Sequence, residues 1–255
     1  MGAMKIGLQL YTVRNNTQQD FAGTLREIAA MGYEGVEFAG YGGIAADEMK
    51  AILDGLNLQA IGSHISLERL NDDLEGEINY LKTIGAKYGI VPFVAEEDRK
   101  DAEAWQKIID RLDTYGEQFR KQGLSFAYHN HAFEFEEKIG ASFVFDSMYE
   151  QVSPDRLQVE MDLGWVQFAG QDPLGYIAKY KGRLPLLHLK DFRKGTVEQG
   201  IDTVELGRGD LDLPSIIAAA EQADVEWIIV EQDNCANPPI ESVRTSRDWL
   251  KQNYR

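Results

Sequence analysis

The chain has one cysteine, Cys235, in 255 residues, so it can build no disulfide framework of its own. A reducing compartment, the cytoplasm, is expected. Positive charge is also scarce. There are 26 Lys and Arg against 42 Asp and Glu, a net charge of −16. That balance argues against a polyanionic partner such as nucleic acid, which needs clustered basic side chains against phosphate. No apolar run approaches the roughly 20 residues that span a bilayer, and no basic stretch followed by an apolar core opens the chain, so neither membrane span nor signal peptide is expected. Met1-Gly2-Ala3 ahead of Met4 reads as an addition before the natural start. No shift of composition divides the chain, so residues 1–255 are expected to form one domain. Histidine is rare as well, with only four, and their positions turn out to be informative.

Short apolar segments alternate with amphipathic ones. Lys5–Tyr11, Gly35–Phe38, Gln59–His64, Gly89–Pro92, Leu124–His129, Leu157–Asp162, Leu184–Lys190 and Trp227–Glu231 read as strands. Phe21–Met31, Ala45–Leu56, Leu74–Gly85, Asp101–Gln122, Ser142–Gln151, Pro173–Lys181, Leu213–Gln222 and Pro239–Gln252 read as the helices between and after them. In Asp101–Gln122, the residues Trp105, Ile108, Ile109, Leu112, Tyr115 and Phe119 recur at helical spacing. An exposed helix of this kind could pair subunits, so a homo-oligomer is an open expectation. Continuously apolar strands suit a parallel sheet covered on both faces. Eight strand-helix units in a chain of this length predict an α/β fold, a single closed (β/α)8 TIM barrel. An open doubly wound sheet is the alternative, but it would normally place a Gly-rich phosphate turn after an early strand, and none follows Lys5–Tyr11. The loop Asp191–Asp210 is long and polar, as functional loops tend to be.

In a parallel barrel the active site lies where strands end at their C-terminal side. All four histidines fall there: His64, His129 with His131, and His188. Glu134, Asp162, Lys190 and Glu231 join them, with Gln9, Tyr11 and Glu37 from the first two strands. A lone histidine or carboxylate at a strand end usually caps a loop or satisfies a neighbour. So many polar groups converging on one rim need a common partner, because burying them unpaired is costly. A divalent metal is the simplest one. Glu134, Asp162, His188 and Glu231 would supply one imidazole and three carboxylates, a set that suits Mn²⁺, Mg²⁺ or Co²⁺ and admits Zn²⁺. His129 ends the same strand as Glu134 and could replace it. Glu160 shares a face with Asp162 one layer deeper, where a structural role is expected.

Three stretches carry a resemblance: His129-Asn-His-Ala-Phe-Glu-Phe135, Glu160-Met-Asp-Leu-Gly-Trp165 and Leu186-Leu-His-Leu-Lys-Asp191. The opening Ile6-Gly-Leu-Gln-Leu-Tyr-Thr-Val-Arg14, the loop Gly207-Arg-Gly-Asp-Leu-Asp212 and Val230-Glu-Gln-Asp233 agree with them. Together they resemble the xylose isomerase-like TIM-barrel family of sugar and sugar phosphate isomerases and epimerases, across essentially the whole chain. The resemblance implies a metal held by a Glu, Asp, His, Glu set, which by motif falls on Glu134, Asp162, His188 and Glu231. It departs from the pattern at His129, where many epimerases of the family carry a ligand Glu; the resemblance implies that Glu134 compensates, as in inosose dehydratase-like members.

The chemistry expected is a metal-dependent isomerisation or epimerisation of a small carbohydrate through an enediolate. Glu231 and Glu134 would act as bases from opposite sides, with His129, His131 or Lys190 as alternative acids or bases. His64, His131, Trp165, Gln9 and Tyr11 would contact substrate, and Arg208 would meet an anionic group. The rival enzyme reading is a dehydratase or lyase on a keto-sugar or keto-inositol, in which the enediolate expels a leaving group. A non-catalytic sugar-binding protein is a further alternative. An apurinic-site endonuclease needs more histidine and a basic face.

Overall fold

A computed structural model of the chain describes residues 3–193 and 201–254. Met1 and Gly2 of the leading tripeptide, and residues 194–200 of the long loop, lie outside them. Among the described residues, eight parallel strands close a barrel: β1 (Lys5–Gln9), β2 (Gly35–Phe38), β3 (Gln59–His64), β4 (Tyr88–Val91), β5 (Ser125–His129), β6 (Gln158–Asp162), β7 (Leu186–Leu189) and β8 (Trp227–Val230). They neighbour one another in chain order, and β1 closes the ring against β8, Lys5 opposite Trp227 through Leu8 opposite Val230.

Strand side chains alternate between faces. The outward ones, such as Leu8, Val36, Phe126, Val159, Leu187 and Ile228, join the helices in one large apolar layer. The inward ones change character along each strand. Low in the barrel, Ile61, Tyr88, Ile90, Ala127, Leu186, Trp227 and Ile229 form a separate apolar plug. Two residues above Ala127 and Leu186 on the same faces stand His129 and His188, joined at that end of the barrel by Glu37 and Asp162, all buried. The plug closes the barrel from below, and the polar layer above it is the floor of the mouth.

The predicted helices are present with small shifts at their ends, and their caps explain where they start. The side chains of Asp20, Ser66 and Asp101 accept from main-chain N–H groups three residues on, as N-caps do. The helix expected from Leu74 starts earlier, at Leu67, and breaks stride at Asp73. Tyr11 does not extend β1: the Gln9 side chain accepts from the Tyr11 amide and turns the chain into the short helix Leu10–Val13. After β6 the chain turns at once into Leu163–Phe168, capped by Asp162. Within the predicted helix Ser142–Gln151, the first two residues pair instead with Lys138–Ile139 as a hairpin, and the helix is Val144–Gln151. Among the described residues, no helix is long and apolar enough to cross a membrane.

The loop after β7 folds around a single carboxylate. Asp191 accepts main-chain hydrogen bonds from Phe192 (3.0 Å), Gly207 (3.0 Å), Gly209 (2.8 Å) and Leu211 (3.3 Å). A Cβ on Gly209 would lie 2.1 Å from Asp191 Oδ1, so the wrap requires glycine there. The Gly207-Arg-Gly-Asp210 sequence is therefore a cradle for the chain's own aspartate. Hydrogen bonds to a charged acceptor contribute about 1.5–3 kcal/mol each. Asp191→Ala is expected to lower unfolding free energy in urea by at least about 2 kcal/mol; an unchanged midpoint would show that the loop is held by something else.

Candidate metal centre and active site

The four imidazoles meet in the mouth of the barrel. The His129 and His188 ring centroids are 4.5 Å apart, His64 and His129 5.0 Å, and His129 and His131 5.2 Å. Around them stand the carboxylates of β2, β6 and β8. Glu37 accepts from Gln9 Nε2 at 2.7 Å and from His188 Nε2 at 2.8 Å. Glu160 accepts from His64 Nε2 at 2.7 Å. Glu231 accepts from His188 Nδ1 at 2.9 Å. The His188 ring thus bridges the deep carboxylate Glu37 and the rim carboxylate Glu231.

Lys190 is fully buried beside three acids. Its Nζ lies 2.9 Å from Asp162 Oδ2, 3.2 Å from Glu231 Oε2 and 2.6 Å from Asp233 Oδ2. These are ion-pair distances without well-aligned hydrogen bonds, so Lys190 Nζ and Asp162 Oδ2 are both buried with none. The aliphatic stem runs against Gly164, where a Cβ would come within 2.9 Å of Lys190 Cδ.

These contacts fix the protonation states. Burial alone would push the His64 imidazole down, but Glu37 and Glu160 beside it hold it up at about 10. His188 likewise sits well above the usual range, burial being outweighed by Glu160, Glu231 and Glu37. His131 is the opposite case. Burial and then the Lys190 charge push it down to about 3, so it is a neutral imidazole. Burial raises Asp162 to about 6, with Lys190 opposing the rise.

One ligand atom each from His129, Asp162, His188 and Glu231 lie within 4.8 Å of one another, all on buried residues. A second such group, His64, His129, Glu160 and His188, shares two of its members. The upper group fits a divalent ion better. It places two carboxylates with two imidazoles, its Asp162 Oδ2 accepts no aligned hydrogen bond and is met by the Lys190 charge, and Glu231 lines the mouth cavity. The deeper group offers one carboxylate, Glu160, with three imidazoles.

The cavity above has a volume of about 510 Å³. His64, His129, His131, Glu231 and Tyr11, all expected from the sequence, line it together with Ser66, Arg69, Phe93 and Asp233, which were not. Asp233 carried a signal, being two residues beyond Glu231 on the same face. Phe93 carried none, since it lies past the end of β4.

Other expected residues stand elsewhere. Glu134 is buried but turned to the outer layer: it accepts from the Tyr128 hydroxyl at 2.7 Å and the His131 amide at 2.8 Å. Neither ligand group includes it, because the turn after His129 carries it behind β5, and His129 takes the inward position. Gln9 lies below the cavity, orienting Glu37. Trp165 packs beside His131, its ring 5.3 Å away, with Nε1 buried and unpartnered. Arg208 is half exposed and reaches only Glu205, at 3.4 Å, because its loop wraps Asp191. Glu160, expected to be structural, faces inward as a partner of His64.

Comparison with known proteins agrees with this architecture. A family model described as "Xylose isomerase-like TIM barrel" matches residues 25–253, and the chain belongs to that family. It is 22% identical over 272 aligned residues to an inosose dehydratase of Clostridium beijerinckii, covering 92% of this chain and 90% of that one. Its fold is similar to that of a sugar phosphate isomerase/epimerase from Parabacteroides distasonis, with a TM-score of 0.80, 22% identity, and 98% and 94% of the two chains covered. It is also similar to the IolI protein, solved with a bound zinc atom, with a TM-score of 0.78, 15% identity, and 98% and 99% covered.

Burial lifts Glu134 to about 8 from an ordinary 4.5, and its hydrogen bond from Tyr128 only partly offsets this. Below about 4.5 both the folded and the unfolded chain hold this proton; between there and about 8 only the folded chain does. Its contribution to stability is therefore full in acid and falls as pH rises through that window. Glu134→Gln mimics the protonated form. Its stability relative to wild type is expected to rise between about pH 5 and pH 8, read as melting temperature of the two proteins side by side. A constant difference would show that Glu134 is ionised throughout.

Proposed function

We propose that this protein is a divalent-metal-dependent lyase. It would remove water, or another leaving group, from the carbon β to the carbonyl of a polyhydroxylated ring ketone, a keto-inositol or keto-sugar. The observation that carries this reading is the convergence of His129, Asp162, His188 and Glu231 beneath a histidine-lined cavity. Likeness to an inosose dehydratase and to a zinc-binding fold neighbour supports it. In this assignment His129 occupies the ligand place that motif resemblance gives to Glu134. Two imidazoles favour Zn²⁺, Mn²⁺ or Co²⁺ over Mg²⁺, which prefers oxygen and water.

When bound, a divalent ion at this site polarises the ketone oxygen and so acidifies the adjacent C–H. Of the three histidines lining the cavity, His64 and His131 are held in opposite protonation states, and such pairs mark acid and base roles. Neutral His131, with Nδ1 buried and unpartnered, accepts the proton from carbon. Cationic His64 donates to the departing oxygen as the C–O bond at the β carbon breaks and the oxygen leaves with the electron pair. Lys190 balances Asp162, Glu231 and Asp233 and keeps their charges compatible in a buried space. Arg69 is the one Lys or Arg lining the cavity among the described residues, and it is ion-paired with Glu77. Beside Glu231 and Asp233 it favours an uncharged substrate over a sugar phosphate.

The alternative, an isomerase or epimerase, shares the proton abstraction and is favoured by the Parabacteroides likeness. Two measurements test these readings. Purified protein reconstituted with Zn²⁺ or Mn²⁺ is expected to hold near one equivalent by elemental analysis, and Asp162→Ala and His188→Ala to hold almost none. Wild type without metal after reconstitution would end the reading. With scyllo-inosose in D2O, wild type is expected to exchange the α proton and yield a product lighter by one water. A product of unchanged mass would favour the isomerase. His131→Asn is expected to lose exchange by at least about 100-fold while keeping its metal; unaffected exchange would remove His131 from the mechanism.

A further inference from the structure

Lys190 is one cation among three carboxylates, and two of the three belong to the upper ligand group. Its Nζ lies 2.9 Å from Asp162 Oδ2 and 3.2 Å from Glu231 Oε2, both on residues of that group. It lies 2.6 Å from Oδ2 of Asp233, which neither ligand group includes. Asp162 has little choice of oxygen. Its Oδ1 accepts from the Trp165 amide at 3.0 Å and caps the helix Leu163–Phe168. Oδ2 is left for a ligand, and it is the oxygen that the lysine meets. A divalent ion on Asp162 and Glu231 therefore draws on the same carboxylates as the ammonium, and like charges that close in a buried space repel strongly.

Asp233 is placed to resolve this conflict. Its contact with Nζ is the shortest of the three, and it lies furthest out, with a side chain 20% exposed where that of Asp162 is fully buried. Its position is fixed through the main chain. The Gln232 amide donates to Thr12 Oγ1 at 3.0 Å, Arg14 donates to the Asp233 carbonyl at 3.1 Å, and the Asn234 amide donates to Thr203 Oγ1 at 3.1 Å. Three consecutive residues are thus stitched to the segments after β1 and β7, and the carboxylate between them cannot follow the lysine inward. The lysine is the adaptable partner: an ammonium on a four-carbon stem turns its three donors without moving the backbone. The Trp165 ring, 5.3 Å from Nζ, gives its charge an aromatic face.

We propose that Asp233 is a positioning residue for the metal: it holds Lys190 off the two ligand carboxylates and so sets the affinity of the site for a divalent cation. It acts through the lysine and is not itself a ligand. This rests on the metal-binding reading of the site and adds to it a residue that tunes the ion from outside the ligand group.

The probe is Zn²⁺ alone, titrated into the full chain in competition with a chromophoric chelator, so that affinity and stoichiometry are read without turnover. Asp233→Asn keeps the shape of the side chain and removes its charge. It is expected to raise the Kd by about 10–100-fold, the usual effect of losing a partner behind a ligand, while still holding near one equivalent at saturation. Asp233→Glu, which keeps the charge, is expected to bind close to wild type. Lys190→Met removes the competing cation and is expected to bind at least about tenfold tighter. Adding Asp233→Asn to Lys190→Met is expected to change little, because the residue through which Asp233 acts is gone. Lys190→Gln, which still donates to Asp162, repeats the cycle if the methionine variant fails to fold. An unchanged Kd in Asp233→Asn, a loss of equal size with and without Lys190, or weaker binding in the Lys190 variants overturns the positioning role and leaves the metal site standing. Wild type that takes up no Zn²⁺ overturns the metal reading and this proposal with it.

Discussion

The site depends on one constraint, the balance of charge inside a closed barrel. Glu37, Glu160, Asp162 and Glu231 are buried, with Asp233 close to the surface above them. Isolated, such charges would be prohibitively costly to bury, and a pair broken by removing one partner leaves that cost exposed. Here each carboxylate faces a cation or a cationic imidazole: Glu37 and Glu160 face His64 and His188, and Asp162, Glu231 and Asp233 face Lys190. The arrangement ties β2, β3, β6, β7 and β8 together through side chains as well as through the sheet. A divalent ion in the upper group would add two positive charges to this balance, and Lys190 is the group best placed to yield, since Asp233 already gives it a partner further out.

Much of this was legible in the sequence because a parallel barrel imposes simple rules. Its strands are buried on both faces, so they read as short apolar runs, and its chemistry sits where those runs end. The joint position of His64, His129, His131 and His188 follows from that alone. What the sequence left obscure depends on which way a side chain points after its strand stops. Glu134 lies beyond β5, where strand alternation no longer applies, and the turn carries it behind the strand to Tyr128. Arg208 was expected to meet an anionic group, and what the sequence does not reveal is that the glycines flanking it wrap Asp191. Glu160 was assigned to the correct layer, yet only the fold shows that His64 reaches down to it.

Family membership and chemistry sit at different levels here. The closed barrel is the fold that the xylose isomerase-like TIM barrel family is named for. On that frame this chain sets an imidazole at residue 129 facing inward, His131 among aromatic rings, and a mouth in which Arg69, the one Arg lining it among the described residues, is committed to Glu77. These are the features on which the proposed elimination from an uncharged substrate rests.

The cradle around Asp191 has a consequence for how this site can change over generations. The loop after β7 is anchored through its main chain, by donors that any residue supplies, to an aspartate adjacent to Lys190. Gly207 passes too close to Trp249, and Gly209 to the carboxylate, to carry a side chain, and Glu205 is held by Asn237 and Ser242, whereas an exposed position such as Arg208 is free to vary. The rim can therefore diversify at such positions while the buried lysine, and the charges it balances, keep their place.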